Sequence, residues 1–202
     1  MKRQILFNLK KNAYSAFSSA IEIHNKPNID YRYETVTILL LNAWELILKA
    51  FVRKYTSKSI FKSNDYTISI DEAINITKQY LTEKGLIEKY IAYFDNIGLL
   101  EEYRNSNIHF YNEKGMDGVM FSLIAKNTLD FNQFCIDFFK NDPIGNSNLT
   151  ILPIGFKLPF NPQQYLSMKN PAYSSNKEIK SFMDKILIRI KDLNEQNIGY
   201  WI

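Results

Sequence analysis

One segment constrains the fold more than any other. Residues 30–54 carry Val36, Ile38, Leu39, Leu40, Leu41, Trp44, Leu46, Ile47, Leu48, Phe51 and Val52, apolar in nearly every direction around a helix. Such a helix belongs at the centre of a fold, with other elements wrapped around it. Asp30 is the expected N-cap. The polar exceptions Asn42, Glu45, Lys49 and Arg53 step by three and four, so they share one face. Taken by itself, that stripe is an ordinary solvated face with an intrahelical Glu–Lys pair. Its position on so apolar a helix makes Glu45 and Lys49 candidates for supporting a site.

The surrounding segments supply the wrapping. Ile5, Leu9, Ala13, Ala16, Ala20 and Ile23 recur at helical spacing, predicting a helix over 3–25 that Pro27 and Asn28 terminate. Residues 55–68 read as a polar, irregular loop. Ser69 followed by Asp71 and Glu72 marks a third helix reaching about Thr82, with Gly85 beyond it. Leu86 to Phe94 reads as another helical piece, with an interruption expected near Asn96 and Gly98. A fifth helix is expected over about 99–111, and a sixth over 119–140, where Phe131, Phe134 and Phe138 are core candidates. After Asn141 the composition changes. Five of the six prolines lie between Pro143 and Pro171, which excludes regular helix there. A short extended piece over 150–160 is compatible with the pattern. Residues 176–197 return to an amphipathic helix. The expectation is an all-α protein: an up-and-down helical bundle over 1–140. Residues 141–202 then form a Pro-rich excursion and a C-terminal helix packed on the bundle or on a partner.

Several function classes find no support. The net charge of +4 is mildly basic and compatible with a phosphate-rich partner without requiring one. A single cysteine, Cys135, fits a reducing, cytoplasmic compartment. The N-terminal run is a poor signal peptide, and no stretch is both apolar and uncharged over the roughly 18 residues of a spanning helix. No membrane is therefore expected. The seven glycines match no Walker or Rossmann pattern, and His24, His109 and Cys135 show no metal-ligand spacing. No cofactor and no metal are expected. His24, near a helix end, is expected to interact with that helix's C-terminus.

The chemistry concentrates in Tyr103-Arg104-Asn105-Ser106-Asn107-Ile108-His109. At roughly 100° per residue, Asn105 and His109 lie nearly above one another, and Arg104 is roughly 140° from His109. Asn105 is thus placed to orient the imidazole, and the long Arg104 side chain can bend toward the same cleft. Histidine titrates near neutrality and can move protons. Arginine offers a fixed fork of donors for phosphate oxygens. Together they suit attack of an RNA 2′-hydroxyl on the adjacent phosphate, with His109 as general acid/base and Arg104 as phosphate binder.

Arg104-Asn105-Ser106-Asn107-Ile108-His109 resembles the Arg, four to six residues, His motif of the HEPN superfamily of helical bundles, in its shortest form. Leu41-Asn42-Ala43-Trp44-Glu45-Leu46-Ile47-Leu48-Lys49-Ala50 is similar to the upstream helix of a bacterial branch of that superfamily. The likeness covers about residues 30–140. It implies a metal-independent endoribonuclease, a homodimer whose two motifs form one composite site, and a role in phage defence or a toxin system, where an antitoxin protein is a possible partner.

Other readings of the same residues stay open. Arg104 and His109 can be a structural pair on a helix face. The same basic cleft can serve a non-catalytic RNA- or nucleotide-binding module, and the chain can be a dimeric scaffold. Glu45 and Lys49 are expected to support the motif helix, with Glu45 facing it.

Overall fold

A computed structural model describes residues 2–62, 66–110, 116–147 and 177–195. Six helices occupy them: α1 (Lys2–Asn25), α2 (Arg32–Tyr55), α3 (Ile70–Glu83), α4 (Ile87–Phe110), α5 (Met116–Phe139) and α6 (Lys177–Glu195). The protein is an all-α helical bundle, as the periodicity predicts.

The α2 helix is the hub. It packs against α1, α3, α4 and α5. Trp44, Ile47, Leu48, Ala50, Phe51 and Val52 are fully buried. By length and composition it could cross a membrane, but 67% of its most apolar window is buried inside the bundle. The aromatic residues of α5 close the core around it. Phe131 stacks on Phe17 of α1 at 4.4 Å and meets the edge of Trp44 at 5.2 Å. Phe134 and Phe138 pack on Phe51. Each such side chain contributes about 1.5–3 kcal/mol by leaving water. Phe131, Phe134 and Phe138 are thus core, as their spacing suggests.

The connection from α2 to α3 is more ordered than a polar loop. Ile60 and Ile68 are buried and anchor it. The backbone closes on itself through Ile68 N to Ile60 O and Lys62 N to Tyr66 O, with an isolated bridge between Phe61 and Thr67. This excursion carries the chain back along α2, so α3 runs beside it in the same direction: Tyr80 meets Phe51 and Tyr55. Ser69 caps α3 in a full capping box with Glu72, as expected from the sequence.

Three local expectations differ from the structure. Asp30 does not cap α2. The N-cap is Tyr31, without a side-chain bond, and Arg32 reaches back to the Lys26 carbonyl at 2.6 Å. Next, α4 is one unbroken helix through Asn96 and Gly98, not two pieces. Asn96 is fully buried and donates to Asp130, while its carbonyl accepts from Asn127. At Gly98 an added Cβ would come to 3.4 Å from Arg189 Nη1, and Arg189 donates to the Asp95 carbonyl at 2.8 Å. These tertiary bonds outweigh the helix-breaking preference of roughly 1 kcal/mol at a glycine. Finally, His24 is not a simple helix-end charge. Its ring lies against Phe121 and Tyr33, and Nδ1 is buried with no partner among the described residues. Burial, reinforced by Arg32, lowers its pKa and favours the neutral imidazole.

The C-terminal helix α6 packs on α4. Phe182 and Ile186 are buried, and Lys185 pairs with Glu102. The segment after Ser147, including the possible extended piece at 150–160, lies outside the described residues up to α6.

Candidate active site

The motif sits in the last turns of α4, and the bundle holds those turns on two sides. Tyr103 points inward and donates its hydroxyl to Glu34 Oε1 of α2 at 3.1 Å. Both residues are buried. Burial and the nearby Glu34 charge push the phenol's pKa upward, so it stays a donor. On the α6 side, Phe182 lies against Tyr103 and Lys185 against Glu102. These contacts fix the rotation of α4 and leave Arg104 and Asn105 exposed.

Arg104 Nε donates to Asn105 Oδ1 at 3.3 Å, and Nη2 lies 3.7 Å from Glu101 Oε1. The guanidinium therefore bends along its own helix, as its length allows, and Asn105 here serves Arg104. His109 belongs to the same helix, but its side chain, like those of Ser106, Asn107, Ile108 and Phe110, lies outside the described residues.

The family of the chain can be stated at this point. The profile of a family described as a domain of unknown function, DUF3644, matches residues 8–188, from α1 into α6. The chain belongs to the DUF3644 family. No curated protein and no solved structure matches it.

In this DUF3644 chain the supporting residues on α2 divide into two roles. Lys49 is buried, pairs with Glu45 one turn earlier, and donates to Thr67 Oγ1 at 2.8 Å. It ties α2 to the excursion that leads into α3. Glu45 is partly exposed, and its negative charge is felt at Glu101 of α4. Glu45 thus lies within electrostatic reach of Glu101 on α4.

Two residues escaped the sequence reading. Glu101 is one turn before Arg104 and forms its ion pair. Asp71, in the first turn of α3, lies near enough for its charge to act on Glu101. Burial pushes the Glu101 pKa up; Asp71 and Glu45 add to the rise and Arg104 opposes it. The i, i+3 spacing from Glu101 to Arg104 was a usable signal; nothing in the sequence brings Asp71 to it.

Among the described residues no group of three or more His, Cys, Asp or Glu converges as a metal site. An open cleft of about 320 Å³ lies between the ends of α2 and α3, lined by Tyr55, Lys58, Gln79, Tyr80 and Lys84 among others. It sits near the start of α4, away from Arg104.

Proposed function

We propose that this DUF3644 chain is a metal-independent endoribonuclease of the HEPN type, with Arg104, Asn105 and His109 as its catalytic group. The observation that carries the reading is that Arg104 and Asn105 stand exposed and hydrogen-bonded to each other on the one unbroken helix that also bears His109. Burial of Leu100 and Tyr103 and the Lys185–Glu102 pair leave Arg104 and Asn105 at the surface.

In the reaction, His109 takes the proton of the 2′-hydroxyl as its oxygen attacks the neighbouring phosphorus. The bond to the 5′-oxygen breaks, and that oxygen takes a proton from solvent, to which His109 later returns the one it accepted. Products are a 2′,3′-cyclic phosphate and a 5′-hydroxyl. Arg104 offers its donors to the phosphate oxygens as negative charge accumulates. Asn105 aligns Arg104 through its Oδ1 and, four residues before His109, is the candidate to orient the imidazole. Glu45 and Lys49 support the site from α2.

A second copy of the chain completes this reading. Ile38 is an exposed large apolar residue on α2, at helical spacing with Asn42 and Glu45. A symmetric dimer would double the single Arg104 and His109 of each chain, and exposed Ile38 offers apolar surface to it. Work on RNA in the cytoplasm, in phage defence or as a toxin restrained by an antitoxin, follows from the HEPN resemblance.

The test is digestion of varied RNA substrates in EDTA. His109→Ala should lose cleavage by roughly a hundred- to ten-thousandfold with little change in RNA affinity. Arg104→Ala should lose both rate and affinity. Wild-type cleavage retained by His109→Ala rejects the site, and RNA binding without any cleavage favours a binding module.

A further inference from the structure

We propose that the open cleft at the ends of α2 and α3 anchors single-stranded RNA, and that the strand runs from it along the α3–α4 junction, past Lys78, to Arg104. This rests on the reading of Arg104 as phosphate binder and names where the rest of the substrate lies. Arg104 is a poor anchor by itself. Its guanidinium is 3.7 Å from the Glu101 carboxylate, and the charges of Asp71 and Glu45 act on that same carboxylate. A polyanion meets acid there as well as a cation, so most of its affinity has to come from elsewhere.

The cleft has what an anchor needs. Its volume of about 320 Å³ is at the small end of ligand sites and suits one base. Tyr55 and Tyr80 form part of its wall, with ring centroids 5.9 Å apart and planes tilted by 46°. Both rings are half-buried and held in place. The Tyr55 hydroxyl donates to the Phe138 carbonyl, and Tyr80 meets Phe51 edge-on at 5.4 Å. Fixed, partly exposed rings are platforms on which a base of any sequence can stack. Lys58 and Lys84 stand exposed at the same cleft. Lys58 Nζ donates to Gln79 Oε1 at 3.0 Å, and Lys84 Nζ is 5.7 Å from the centre of the Tyr80 ring. The one acid lining the cleft, Glu83, accepts from Gln79 Nε2 at 3.1 Å. Both helices end here on carbonyl groups, which repel anions. Contact with phosphate therefore falls to the two lysines.

The path to the motif follows from the packing. α3 and α4 are antiparallel neighbours joined through the turn at Gly85. Lys78 of α3 lies over the Phe94 ring of α4 at 5.4 Å, which puts a cation where the two helices meet. At 1.5 Å per residue, Lys84 is about 9 Å from Lys78 along α3, and Arg104 is about 15 Å from Phe94 along α4 in the opposite direction. The cations are thus ordered over a span of about 25 Å. At the roughly 3.4 Å per nucleotide of a stacked strand, that is about seven nucleotides. A trinucleotide is too short to engage both ends.

The experiment uses the full chain and labelled 2′-O-methyl oligonucleotides, which cannot be cleaved by 2′-hydroxyl attack, in fluorescence anisotropy at several salt concentrations. Wild type should bind a strand of about twelve nucleotides at least tenfold more tightly than a trinucleotide. Lys58 and Lys84 are exposed, so the double variant Lys58→Ala, Lys84→Ala keeps the fold, which circular dichroism checks. It should weaken binding of the long strand and flatten the dependence of log affinity on log salt by about 1.4, the share of two single-strand phosphate contacts. Tyr80→Leu should weaken the long strand by roughly five- to hundredfold through lost stacking. A 5-iodouridine strand irradiated on the protein should cross-link to Tyr55 or Tyr80. Long-strand affinity and salt slope unchanged in the lysine variant overturn the anchor, even if Arg104→Ala still weakens binding and the motif reading stands. Adenosine monophosphate competing as well as the long strand also overturns it, since the cleft then holds a nucleotide and not a strand. Binding lost in the lysine variant while His109→Ala cleaves like wild type supports the anchor and rejects the catalytic group. No oligonucleotide bound even at low salt overturns both.

Discussion

At the level of single residues, two cationic side chains serve opposite ends in this chain according to what surrounds them. Lys49 is 5% exposed and directs its charge to Glu45 and Thr67, whereas Arg104 stands at the surface, bonded to Asn105 and 3.7 Å from Glu101. Substitution should separate the two. Lys49→Ala leaves Glu45 and the Thr67 hydroxyl without their donor and removes the packed stem, so denaturant unfolding should show a loss of about 1–3 kcal/mol. Lys49→Met, which keeps the stem, should lose less. Arg104→Ala should leave unfolding within about 0.5 kcal/mol of wild type, as surface substitutions generally do. A large destabilisation by Arg104→Ala would mean that the residue is structural and would weaken the functional reading.

At the level of elements, α3 and α4 show how local and tertiary preferences combine. The cap of α3 is local: Ser69 accepts from the Glu72 amide, and the Glu72 carboxylate accepts from the Ser69 amide. Ser69→Ala should cost about 1 kcal/mol in thermal or denaturant unfolding. The continuity of α4 is tertiary. At Gly98 the nearest atom to an added Cβ is the end of the Arg189 side chain, at ordinary contact distance. Gly98→Ala should therefore stabilise the protein, by up to about 1 kcal/mol, through helix propensity. A marked loss of stability would show that the close approach of α6 requires the glycine. Asn96 is different, because its buried amide donates to Asp130, whose carboxyl burial pushes toward the neutral form and Lys126 and Asn96 pull back.

At the level of the whole molecule, pH and assembly are the two readouts. His24 has its folded-state pKa lowered below the ordinary 6.5. A histidine of this kind favours the fold while neutral, above its unfolded pKa. That contribution is lost as pH falls from about 6.5 toward the lower folded value. Stability measured by denaturant should decline over that window, and His24→Phe should flatten the decline while retaining contact with Phe121 and Tyr33. Assembly tests the composite site. Light scattering should report a dimer, and Ile38→Arg should yield monomers that no longer cleave RNA although Arg104 and His109 are intact. A strict monomer at high micromolar concentration would leave each chain with one Arg and one His and count against the two-copy arrangement.

The sequence by itself determined the elements and the hub. Helical periodicity is local, so α1, α2, α3, α5 and α6 could be placed to within a few residues, and an all-round apolar segment has nowhere to go except the centre. The capping box at Ser69 and the core role of Phe131, Phe134 and Phe138 were legible for the same reason. That Arg104, Asn105 and His109 share one helix was legible too, because the motif is a contiguous stretch of sequence. What only the tertiary structure decided depends on contacts between residues far apart in the chain. The continuity of α4 rests on Asn96 meeting Asp130 and on Arg189 crossing Gly98. The neutral packing of His24 rests on Phe121, nearly a hundred residues away. Asp71 comes within electrostatic reach of Glu101 because the buried Ile60 and Ile68 return the chain along α2 and α3 packs on α4. No pattern in a linear sequence encodes such an approach, because it is set by how the apolar faces of separate helices exclude water together.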